Sequence, residues 1–216
     1  MILNITVIGA NGNIGREIVR TLLERNHEVR AMIRKEEQAS FFINLGATPV
    51  IADLEQDFSH AIDGADAIIF TAGSGAHTGL DKTTAIDQEG AKKAADLAEQ
   101  YGVDRFIMIS SIKADQPEAA TSDAMKHYLR AKSAADKHLR TKGINYTILR
   151  PGRLSDEKGT GKIVIAPSLE YRTDSIPRAD VALTAVESLE APGTFRHSFD
   201  LFSGNEEVQT ALAKLA

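Results

Sequence analysis

The sequence predicts a doubly wound α/β domain, a parallel sheet of about seven strands with helices on both faces. Three observations predict it. Short β-rich runs alternate with longer helical patterns from one end of the chain to the other, which is how strand, crossover helix and parallel strand read in sequence. A glycine-rich turn, Gly9 to Gly15, stands directly after the first apolar run. The 216 residues, 43% hydrophobic and 25% charged, are enough to bury one large core without a second domain. Residues 1–216 are therefore read as one domain, with small substrate-side elements over about 151–216.

The first strand is Ile5 to Ile8, and MILNITVIGA meets glycine too early and without a basic leader to read as a signal peptide. After the glycine turn, Ile14, Ile18, Val19, Leu22 and Leu23 fall on one helical stripe, with Arg16, Glu17, Arg20, Glu24 and Arg25 facing water. Further strands are expected at Glu28 to Ile33, Thr48 to Ala52, Ala67 to Thr71, Phe106 to Ser110, Tyr146 to Leu149 and Ser198 to Phe202. Helices are expected from about Thr83 to Gln100, Ser122 to Lys142 and Pro177 to Leu189, with a short last one after Asn205. The segments Gly73 to Lys82, Ile112 to Thr121 and Gly152 to Ser175 read as irregular. Each follows a strand, and in an open α/β sheet ligands bind beyond the carboxyl ends of the strands.

Composition narrows the function. The chain has no cysteine, so a disulfide framework, a thiolate metal site and a cysteine nucleophile are all excluded, and a cytoplasmic setting is expected. No metal site is expected either. No stretch approaches the roughly 18 apolar residues of a membrane span. The net charge of −5, with acids and bases interspersed, gives no basic face for a nucleic acid. A small-molecule ligand remains the expected partner, and monomer and dimer are left open.

The turn Gly9-Ala10-Asn11-Gly12-Asn13-Ile14-Gly15 has the spacing GxxGxxG between a strand and a helix. At this glycine content the triplet arises by chance about 0.1 times in such a chain, so its position adds more than its spacing. Gly9 permits the tight turn, Gly12 lets backbone approach a pyrophosphate, and Gly15 allows helix and strand to pack closely. The helix N-terminus offers unpaired N–H groups to phosphates. At the end of the second strand, where an NAD site carries an acid against the ribose, the sequence reads Met32-Ile33-Arg34-Lys35. Two cations there favour a 2′-phosphate, hence NADP over NAD, with Arg34 as its planar partner.

Tyr128 and Lys132 stand four apart on a helical stripe that also carries Met125, Leu129, Ala135 and Leu139. A buried ammonium is costly unless paired. In the functional reading, Lys132 holds ribose hydroxyls of the cofactor and supports Tyr128 as a general acid/base. The strand before it ends in Ser110-Ser111, where a hydroxyl could hold a substrate oxygen.

Together GANGNIG, DRFIMISSI, HYLRAK and TILRPGRL resemble the atypical short-chain dehydrogenase/reductases of the Rossmann class, closest to small bacterial NAD(P)-binding epimerase/dehydratase-like proteins. The resemblance spans nearly the whole chain. It implies a cofactor cradle at Gly9, Asn11, Gly12, Asn13, Ile14 and Gly15, a ribose-phosphate contact at Arg34 and an adenine-side contact at Asp53 and Leu54. It further implies backbone lining at Thr71, Ala72 and Gly73, a nicotinamide-side loop at Pro151 and Gly152, and an active triad of Ser111, Tyr128 and Lys132, with Ser111 the better aligned serine.

Two departures stand beside these matches. Asp87 occupies the place where the family carries an asparagine that completes a catalytic tetrad, and an aspartate lacks the amide donor; a bland reading makes it an early-helix acid favoured by the helix dipole. Only 66 residues follow Arg150, which argues against a nucleotide-sugar substrate. His77, Tyr171 and Arg172 are the distinctive side chains of the substrate-facing loops, and His77 is left outside the expected machinery. Three readings follow: an NADP-dependent oxidoreductase acting on a small carbonyl compound, a flavin- or tetrapyrrole-type reductase that needs no tyrosine, and an NADP-sensing regulator of the kind NmrA-like proteins represent.

Overall fold

In the computed structural model, which describes residues 1–75 and 78–215, one nine-stranded sheet runs through the molecule. In chain order the elements are β1 (Asn4–Ile8), α1 (Asn13–Glu24), β2 (Glu28–Ile33), α2 (Ala39–Leu45), β3 (Thr48–Ile51), α3 (Ser59–Ile62) and β4 (Ala67–Phe70). A long helix follows, beginning as α4 (Leu80–Lys82), widening into a π-helical stretch at Thr83–Gly90 and ending as α5 (Ala91–Gln100). The rest comprises β5 (Arg105–Ile109), α6 (Asp123–Arg140), β6 (Asn145–Pro151), β7 (Arg153–Ser155), β8 (Lys162–Ala166), β9 (Ser175–Pro177), α7 (Arg178–Ser188), β10 (His197–Ser203), β11 (Glu206–Glu207) and α8 (Val208–Ala213).

The strand order is β11-β8-β10-β6-β5-β4-β1-β2-β3. β1 pairs in parallel with both β2 and β4, so the order reverses at β1 and opens a crevice beyond its carboxyl end, the switch point where this class binds ligands. The doubly wound class is as expected, but the sheet is larger. β8 and β11, both antiparallel to their neighbours, extend it past seven strands, and β7 pairs with β9 in a small second sheet. The expectation of an irregular Gly152–Ser175 is thus corrected. KIVIA at 162–166 is a short apolar run that becomes a strand by pairing with the distant β10, a non-local contact that no local period announces.

Alternation along the strands divides the core. Ile5, Val7, Ala67, Ile69, Ile107 and Ile109 pack on one face against Ile18 and Leu22 of α1 and Val181 and Ala185 of α7. Ile8, Ile68, Phe70, Phe106 and Met108 pack on the other, against Ala94 and Ala98 of α5 and Ala135 and Leu139 of α6. The period of two puts successive side chains on opposite faces, which is why both faces are covered. Arg105 is a buried cation that belongs to the scaffold. It donates to the carbonyls of Ser188 and Leu189 at the end of α7 and to Asn145, Thr147 and Thr194, where a helix C-terminus favours positive charge.

Candidate active site

The turn after β1 is built as its glycines require. Gly9 has φ +84°, and a Cβ there would stand 2.6 Å from the Ala72 backbone. A Cβ on Gly15 would stand 2.3 Å from the Gly9 carbonyl oxygen. Gly12 is the N-cap of α1 in extended conformation, offers no side-chain cap, and no acid occupies the first turn. The first N–H groups of α1 are therefore left to a ligand, in the field of the helix N-terminus. Asn11 is held by Arg16, whose guanidinium donates to the Asn11 side-chain oxygen at 2.7 Å.

Two cavities meet at this turn. One, of about 360 Å³, runs over Ile8, Gly9, Asn11 and Gly12 to Met32, Arg34, Gln38, Ala52 and Leu54. The other, of about 680 Å³, runs over Gly12, Asn13 and Ile14 to Asp87, Ser110, Tyr128, Lys132, Pro151, Leu154 and Arg178. Gly12, Thr71, Ala72, Gly73 and Ser74 line both, so the two are halves of one groove across the switch point. A groove with glycine backbone and an open helix N-terminus at its middle fits an extended dinucleotide, pyrophosphate central, with Arg34 at one end and Tyr128 and Lys132 at the other.

The second half is organised by the π-helical stretch. A π turn admits an extra residue and recurs at functional sites. Here it carries Asp87, which is 1% exposed; one carboxylate oxygen, Oδ2, accepts from the Ser74 N–H at 2.9 Å. The other, Oδ1, lies 3.2 Å from the Lys132 ammonium, which also donates to the Ile109 carbonyl at 3.3 Å. Asp87 is therefore no early-helix acid: it is buried in mid-helix and paired. Burial alone pushes the Lys132 ammonium down, but its electrostatic interactions with Tyr128 and Asp87 hold it above the ordinary lysine value. Lys132 lies 5.8 Å from the centre of the Tyr128 ring. His127 Nε2, 3.0 Å from the Leu80 carbonyl and 3.1 Å from the Thr84 hydroxyl, ties α6 to the helix opposite.

The expected residues do not all reach the groove. Of the serine pair, Ser110 lines it, while the Ser111 hydroxyl donates to the Ile112 carbonyl. Beyond β3, Ala52 and Leu54 form the wall, and the Asp53 carboxylate accepts from the Glu55 N–H instead, closing a local turn. Gly152 lies beside the wall with Phe202, against whose ring a Cβ would stand at 2.3 Å. His77 lies outside the described residues. Tyr171 is exposed and takes the Lys113 ammonium over its ring at 3.8 Å, and Arg172 pairs with Asp174. The sequence reading missed Gln38, Ser74, Leu80, Met125, Leu154 and Arg178 as lining residues. It also missed Asp136, which stands beneath Ser110.

Fold and groove define an NAD(P)-binding protein of the Rossmann class. The chain belongs to the NAD(P)H-binding family, whose pattern matches residues 9–192. It is 44% identical to the Uncharacterized sugar epimerase YhfK of Bacillus subtilis (strain 168) over 99% of this chain and 100% of that one. Among solved structures it resembles a protein from Bacillus halodurans that carries the label NAD-dependent epimerase/dehydratase, at 41% identity and TM-score 0.95 over 98% and 99% of the two chains. It also resembles the oxidoreductase ylbE of Lactococcus lactis, at 30% identity and TM-score 0.87 over 99% and 96%. Among the described residues no helix is long and apolar enough to cross a membrane.

Proposed function

We propose that the protein is an NADP-dependent oxidoreductase acting on a small carbonyl compound. The observation that carries this reading is that the glycine turn, Tyr128, Lys132 and Ser110 border one cavity of about 680 Å³, so that one ligand at the turn and a second at Tyr128 would be neighbours. A bound reduced nicotinamide supplies the hydride that reaches the carbonyl carbon, while the carbonyl oxygen takes a proton and becomes a hydroxyl. Tyr128 donates that proton. Lys132 keeps positive charge next to the phenol and is held in place by Asp87 and the Ile109 carbonyl. The oxygen-anchoring role that the resemblance gives Ser111 passes to Ser110, which borders the cavity.

At the other end Arg34 and Gln38 border the smaller cavity, with no acid among the described residues that line it, which supports a 2′-phosphate there and NADP over NAD. The reading is tested by following NADPH oxidation against a panel of small aldehydes and ketones. Wild type is expected to turn over at least one, and Tyr128→Phe to lose about 100-fold or more in kcat, the usual scale of general acid catalysis, with NADPH affinity kept. Undiminished activity in the variant contradicts the tyrosine mechanism. Reduction of free flavin that survives the substitution points to direct transfer instead.

A further inference from the structure

The groove rests on a carboxyl group to which none of the roles above is assigned. Asp136 stands on α6, four residues beyond Lys132 and eight beyond Tyr128, on the same helical stripe. It is 2% exposed. Its Oδ2 accepts from the Ser110 hydroxyl at 2.8 Å, and its Oδ1 is buried without a partner among the described residues. Ser110 in turn borders the cavity of Tyr128 and Lys132. A serine hydroxyl has one proton. While that proton goes to Asp136, Ser110 faces the cavity with lone pairs only, and it cannot donate to a carbonyl oxygen there.

We infer that Asp136 is a positioning residue that sets the direction of the Ser110 hydroxyl: ionised, it takes the serine proton inward, and protonated, it donates to the serine oxygen and frees that proton for the substrate oxygen. The step moves one proton onto the carboxylate from solvent and reverses one hydrogen bond. Nothing is oxidised or reduced. The surroundings support such an exchange. Burial pushes the Asp136 carboxyl up to about 6, against the opposing pull of the Ser110 hydroxyl and of Arg140, Lys132 and Arg150. Of these cations, Lys132 is paired with Asp87, Arg150 with Asp115 and Asp200, and Arg140 donates to the Ser198 hydroxyl. None of them forms an ion pair with Asp136 among the described residues. The consequence for the proposed reaction, on which this part of the inference rests, is an oxygen anchor that strengthens as pH falls through about 6.

The test is infrared difference spectroscopy on the full-length protein saturated with NADP, taken between about pH 7.5 and pH 5. A protonated-carboxyl band is expected to grow in with a midpoint near 6, to be absent in Asp136→Asn, and to move to higher frequency in Ser110→Ala, where the acid has lost the oxygen it donates to. No band down to pH 5, a band unchanged in Asp136→Asn, or a band indifferent to Ser110→Ala overturns the proposal. These readouts need no turnover, so they stand even where the carbonyl panel fails. Where a carbonyl is reduced, kcat/KM of wild type is expected to rise about fivefold over the same span, and that of Asp136→Asn, whose amide donates to Ser110 at every pH, to stay flat. A pH rise that survives in Asp136→Asn also overturns it.

Discussion

Oδ1 of Asp87 stands 3.2 Å from the Lys132 ammonium, with the two side chains 1% and 5% exposed. Where the resemblance implies a neutral amide, this site carries a buried ion pair. The lysine is therefore charged and fixed before any ligand arrives, and the aspartate is bound on both oxygens, by Lys132 and by the Ser74 N–H. Groove and scaffold share this pair, so changes to it register in stability as well as in turnover.

Removing the carboxylate strands a buried cation. Asp87→Ala is expected to cost about 3 kcal/mol, read as a lower midpoint in urea at neutral pH. Asp87→Asn is expected to cost less, because its side-chain oxygen still accepts from the Ser74 N–H. Since Lys132 is raised in the folded state, its contribution is fully present below the ordinary lysine value and is lost as pH climbs through the raised one. An Asp87→Ala variant as stable as wild type would contradict the pairing.

Gly12 and Gly15 separate binding from folding. Gly15 has no room for a methyl group, with backbone atoms at 2.3 and 2.8 Å from where it would stand. Gly12 is extended, and its nearest obstacle is the Gly9 carbonyl at 3.3 Å. Gly15→Ala is therefore expected to lower the melting temperature by several degrees, about 2 kcal/mol or more. Gly12→Ala is expected to melt near wild type yet bind the dinucleotide at least about tenfold more weakly, because the added carbon narrows the groove it borders. Thermal melts and a fluorescence titration with NADPH check both.

Asp136 acts on stability with the opposite sign to most carboxylates. Its folded value is raised to about 6, so the folded state holds its proton more tightly than the unfolded chain does. The group therefore costs stability, fully above about 6, and the cost fades as pH falls toward the ordinary aspartate value. Asp136→Asn is expected to be more stable than wild type at neutral pH, by an amount on the order of 2 kcal/mol that shrinks toward zero near pH 4. Urea melts at several pH values check it, and an advantage that grows on acidification contradicts it.

What was legible in the sequence, and what was not, follows from the range of the forces involved. β2, Glu28 to Ile33, is found where its apolar residues put it, and the glycine turn joins β1 to α1 as its spacing requires, because both depend on neighbours in the chain. β8 depends on pairing with β10 across a wide sequence gap. Asp87 reads from the sequence as the tetrad position or as an early-helix acid, and its burial is not legible there, because a π turn departs from the 3.6-residue period by which helices are recognised. Ser110 and Ser111 differ only in rotation at the end of β5, which composition cannot rank. Asp136 could have been found: it is an acid within a stripe that holds Leu129, Lys132 and Leu139, all buried, and an acid on such a stripe needs a partner.

The measurement that tests the account most directly is calorimetric titration of the protein with NADP and separately with NAD, on wild type and on Arg34→Ala. The account predicts that NADP binds wild type at least about tenfold more tightly than NAD, the scale of one charge-assisted phosphate contact, and that Arg34→Ala erases the difference by weakening NADP alone. Absence of binding by either nucleotide would make the turn from Gly9 to Gly15 purely structural, and would contradict the account.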